Sequence, residues 1–157
     1  MEITDYANEY DAATRYFTDL VAKLSPADLD KSAPGEWTPR QVIHHLADSE
    51  AQSYARIRRL VAEPLGSVIQ GYDEGAWAES AILGYTVLPI ENSMAVYNAV
   101  RAGSLDIIKR LTLADLDRYG EHSEAGKFTI ARWLKAYTNH PKDHSGQIEK
   151  VIAQAGN

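Results

Sequence analysis

The sequence predicts an all-α protein, a four-helix bundle in a single domain over residues 1–157. Three observations carry this expectation. Four long segments place apolar residues at helical spacing. The stretches between them are rich in Gly, Pro, Asp and Ser, and strand-like alternation is scarce. The length suffices to bury one real core, and no repeat or low-complexity linker divides it.

The first helix is expected from about Thr4 to Leu24, with Tyr6, Tyr10, Ala13, Phe17, Leu20 and Leu24 on one face. Ser25-Pro26 then opens a turn. The second helix has a clear start in "EWTPRQV". Thr38 is the N-cap, Pro39 takes the first helical position, and Gln41 completes a capping box, with Trp37 and Val42 as a hydrophobic staple. Its apolar face runs through Val42, Leu46, Ser53, Ile57 and Leu60, and it stops before Pro64. Residues 64–92 are irregular apart from a short helix near Glu74–Ala81. A third helix, capped by Ser93, carries Met94, Tyr97, Val100, Ile108 and Leu111. A turn-rich connection leads to a fourth, capped by Thr129 and reaching Ile152.

Composition excludes several functions. The net charge of −6 and the lack of a basic stripe argue against nucleic acid. The absence of cysteine rules out disulfides, a thiol nucleophile and thiolate ligands, so any metal must rely on His, carboxylate and water. The N-terminus is acidic and polar, unlike a signal peptide, and no apolar run is long enough to span a bilayer. A cytoplasmic protein acting on a small molecule is the expectation.

Five histidines occur, and four fall in two places, "HHLADSE" and "NHPKDHSGQIEK". At 100° per residue, His45 lies on the flank of helix two and reaches the interior, whereas His44 points to solvent. His140 and His144, four residues apart on the apolar side of helix four, stack one above the other, the spacing by which two imidazoles grip one ion. His45 is the available third ligand. A lone apolar-face histidine is more often a hydrogen-bonded core residue, but a stacked pair needs shared partners or a metal. Pro141, directly after His140, is expected to bend the helix or restart it.

Three imidazoles leave a coordination position open, the pattern of a catalytic metal, zinc by default and nickel as an alternative. Glu50, on the inner half of helix two, can orient a histidine or accept a proton, or can pair with an arginine such as Arg132. Gln147 is a candidate contact for a ligand. Asp73, with Tyr72 and Trp77, borders the mouth of such a site, or serves only as a turn residue.

These residues resemble the DinB/YfiT-like superfamily. "EWTPRQVIHHLADSE" is similar to its second-helix signature and "HPKDHSGQI" to its closing motif, while "GYDEGAW" and "GKFTIARWL" match weaker intermediate ones. The resemblance implies a four-helix bundle with a divalent metal on His45, His140 and His144, and a homodimer. It also implies thiol-dependent transfer, using an external low-molecular-weight thiol such as bacillithiol, mycothiol or glutathione. Thiol S-transfer to an electrophile is therefore the first expectation, hydrolysis by metal-activated water the second, and a non-catalytic metal-binding stress protein the third.

Overall fold

The computed structural model describes residues 1–156. Among these residues, four long helices form a bundle. Helix α1 spans Ile3–Ala22 and buries Ala7, Tyr10, Ala13, Phe17 and Val21 as one stripe at the helical period. Helix α2, Pro39–Ala62, begins with the expected capping box. Thr38 Oγ1 accepts the Gln41 N–H at 3.2 Å, and Gln41 Oε1 accepts the Thr38 N–H at 3.0 Å. A short strand β1 (Val68–Ile69) and a short helix α3 (Glu74–Glu79) follow. Helix α4 spans Glu91–Ile108 and α5 spans Ile130–Ala155. No helix among the described residues is long and apolar enough to cross a membrane.

The third helix starts earlier than its sequence suggests. Ile90 occupies the cap position, and the Ser93 hydroxyl faces His44 rather than the helix backbone. The connection before α5 contains a hairpin, β2 (Tyr119–His122) with β3 (Gly126–Thr129), and β1 pairs parallel to β2. These strands are too short to display period-two alternation. Their signal is the turn: three residues joined at Gly126, whose φ of 68° suits a residue without Cβ. Thr129 caps α5 by accepting the Arg132 N–H at 3.1 Å.

Helix α2 packs against α4 and α5, and α1 packs against the same two. Consecutive helices α1 and α2 therefore lie across a diagonal, which the 23–38 connection is long enough to permit. Two apolar clusters fill the interior. One gathers Tyr10, Ile57, Ile108, Trp133 and Leu134; the other gathers Phe17, Val42, Leu46, Tyr97 and Ile148. On every long helix the residues between the two clusters include polar ones, among them Thr14, Glu50, Arg101 and Ser145. That polar layer positions the site.

His44 departs from expectation. It is 5% exposed, with its ring nitrogens 2.7 Å from Ser93 Oγ and 3.0 Å from the Leu88 carbonyl. Helical phase locates a residue only relative to the apolar centre of its own helix; residues 83–93 cover the opposite side, so the first half of α2 is buried nearly all round. Beside it the Tyr85 hydroxyl donates to Asp48.

Candidate metal centre

Helix α5 runs without a break through Pro141, which is itself buried. His140 and His144 thus stay one turn apart, as a continuous helix requires. His45, 1% exposed on α2, meets them from across the interface. The ring centroids lie 4.8 Å (His45–His144), 5.4 Å (His45–His140) and 4.5 Å (His140–His144) apart. One ring nitrogen from each falls within 4.8 Å of the others.

The donor set fits a metal ion on the chemistry of these nitrogens. His144 Nδ1–H donates to Gln147 Oε1 at 2.8 Å, and the Gln147 amide donates in turn to Glu36 at 3.4 Å, which orients the amide. His144 Nε2 is therefore a lone pair, and it faces His140 Nε2 at 3.0 Å. Two nitrogens of a tetrahedral zinc site stand about 3.3 Å apart, given Zn–N bonds of about 2.0–2.1 Å. The Nδ1 atoms of His45 and His140 are buried without hydrogen-bond partners. Burial, then the repulsion that His144 and His140 would exert as cations, pushes His45 down to about 3. Burial, then His140, pushes His144 down to about 4. Both rings are neutral at pH 7, the form in which imidazole ligates.

Gly35, Trp37, His45, Glu74, His144 and Gln147 line an open cavity of about 280 Å³ in front of the cluster. Gln147 thus touches both a ligand and the cavity. Asp73 does not line it: its carboxylate caps α3 by accepting the Ala76 N–H at 2.9 Å. The acidic side chain in the cavity wall is the next residue, Glu74.

Glu50 stands behind the cluster. It is 1% exposed, its Oε1 is 3.1 Å from Arg101 Nη1 and 3.8 Å from His140 Nδ1. Arg132, the partner considered from the sequence, is bound to the Ala125 and Lys127 carbonyls instead. Sequence reading passed over Arg101. The signal in the sequence is spacing: Arg101 shares one helical face with Tyr97, Ser104 and Ile108, and the structure buries all four. His122 lies in β2, far from this cluster in role: its Nδ1 accepts the N–H groups of Glu124 and Ala125 in the hairpin turn.

Comparison with known proteins agrees with this architecture. A protein of Oceanobacillus iheyensis named "Putative metal-dependent hydrolase" is 35% identical over 150 residues, covering 95% of this chain and 85% of that one. One of the same name from Bacillus cereus (strain 03BB102) is 30% identical over 151 residues, covering 96% and 81%. The solved structure of YfiT from Bacillus subtilis, described as "a probable metal-dependent hydrolase with an unusual four-helix bundle topology", superposes with a TM-score of 0.86 at 25% identity. That match covers 98% of this chain and 87% of YfiT. Residues 9–148 match the DinB superfamily, and with relatives this similar over nearly its whole length the chain belongs to that superfamily.

Proposed function

We propose that the chain is a metal-dependent hydrolase of small molecules, with His45, His140 and His144 as ligands. The observation that carries this reading is the cavity in which two of these ligands, His45 and His144, share a wall with a carboxylate, Glu74. A divalent ion held there supplies Lewis acidity, acidifying water or polarising a substrate carbonyl. Three imidazoles suit zinc first and nickel second.

The chain's own residues take distinct parts. Gln147 fixes the His144 ring so that Nε2 is its free nitrogen. Glu74, open to solvent at the cavity wall, accepts a proton from the nucleophile side. Glu50 is not placed for that task, since it is buried behind His140 and bonded to Arg101. This order reverses the expectation from sequence, which ranked thiol transfer first: the relatives carry the name "Putative metal-dependent hydrolase", and the cavity wall offers a carboxylate, Glu74, as a base for water.

The test is turnover of a panel of carboxylic esters and amides by zinc-loaded protein, with and without added low-molecular-weight thiol. Hydrolysis is expected without thiol. Glu74→Gln should lower kcat by about 100-fold or more, the usual contribution of a general base, with zinc affinity unchanged. Activity seen only when thiol is present would refute the reading.

A further inference from the structure

We infer that Arg101 is a positioning residue of the metal centre, holding Glu50 behind His140 so that His140 presents Nε2 as its ligating atom. The inference rests on the three-histidine reading of the site. It goes beyond it by assigning work to a residue on α4, a helix that contributes no ligand.

Arg101 has a fully buried side chain at the meeting of all four long helices. Its Nε–H donates to Thr14 Oγ1 at 2.8 Å and Nη2–H to the Tyr10 carbonyl at 3.0 Å, both on α1. Its Nη1 donates to Glu50 Oε1 on α2 at 3.1 Å and to the Tyr137 carbonyl on α5 at 2.6 Å. The guanidinium lies 3.5 Å over the Tyr10 ring. One of these acceptors is available for a specific reason. In an unbroken helix the Tyr137 carbonyl would accept the N–H of residue 141, but residue 141 is proline and has none. Pro141 thus frees a carbonyl on α5, and Arg101 takes it. The proline that threatened the histidine geometry instead anchors the arginine beneath it.

A buried ion pair is poor evidence for stability, because desolvation offsets its Coulombic gain. This pair has another consequence. Glu50 Oε1 is 3.8 Å from His140 Nδ1, which has no hydrogen-bond partner of its own. A carboxylate opposite Nδ1 favours a proton on that nitrogen and repels a lone pair there. The His140 lone pair is then on Nε2, facing the lone pair of His144 Nε2 at 3.0 Å. Two converging lone pairs call for a cation between them. Arg101 and Glu50 on one side, and Gln147 on the other, therefore select matching tautomers of the two helical ligands.

Cobalt(II) titration, followed by the visible absorption of the bound ion, tests this in the full chain with Arg101→Met, Glu50→Gln, the double variant and His45→Ala. Each single change at Arg101 or Glu50 is expected to weaken cobalt binding about 10- to 100-fold, the usual loss when a ligand's supporting group goes. The double variant should bind no more weakly than Glu50→Gln alone, because both act along one path. Should Arg101→Met fail to fold with its unpaired carboxylate, Arg101→Lys and the double variant, which leave no lone buried charge, carry the comparison. A folded Arg101 variant that lowers the urea midpoint yet binds cobalt like wild type would overturn the inference, as would losses that multiply in the double variant. Normal wild-type binding, abolished in His45→Ala, keeps the site reading intact in that event. Wild-type protein that binds no cobalt would overturn both.

Discussion

Lowering the pH of the metal-free protein from 7.5 to 5 is expected to cost about 4 kcal/mol of folding free energy through His45 and His144 alone. Both histidines lie far below their ordinary value near 6.5 in the folded chain, at about 3 and about 4. At pH 5 the unfolded chain carries both as cations, while the folded chain keeps both neutral. The unfolded state then binds more protons, so stability falls as the pH falls. The loss begins near 6.5 and continues until the pH reaches the folded values. By linkage, each histidine accounts for about 2 kcal/mol at pH 5. Urea unfolding of wild type and His45→Ala at both pH values isolates the effect, because contributions from carboxylates cancel in the comparison. Wild type should lose about 2 kcal/mol more than the variant on acidification. Equal losses would show that His45 is not held neutral by its burial against the other two rings.

Four other outcomes follow from the same structure. His45→Ala, His140→Ala and His144→Ala should each weaken zinc binding by about 100-fold or more in calorimetric titration, since each removes a direct ligand. His44→Ala should leave zinc affinity within about twofold but lower the urea stability by about 1–3 kcal/mol, because the Leu88 carbonyl and the Ser93 hydroxyl lose their buried partner. Zinc at 100 times its Kd should add about 2.7 kcal/mol to wild-type stability and raise the Tm by several degrees, with no such shift in His45→Ala. Thr38→Ala should cost about 1 kcal/mol, read as a lower thermal midpoint, by removing the cap of α2.

The four long helices were legible because each problem was local. Periodicity marks a helix face, and caps such as Thr38 and Thr129 with their N–H partners lie within three residues of sequence. The three histidines were legible for the same reason: angular phase on two helices is enough to aim them inward. Phase does not say what lies on the other side of a helix. His44 was read as solvated because nothing in α2 indicates that residues 83–93 fold back over it. Asp73 and Glu74 are neighbours in a turn, and only the placement of α3 decides which one caps and which one faces the cavity. The role of Glu50 depended on a partner 51 residues away, Arg101, whose own anchor is a carbonyl that Pro141 leaves free. The sequence alone determined the helices, their caps and the residues able to ligate a metal, since these depend on nearest neighbours along the chain. Tertiary structure alone decided which charges pair, which proline is tolerated and which carboxylate meets solvent, because hydrogen bonds between helices depend on distances that no local spacing encodes.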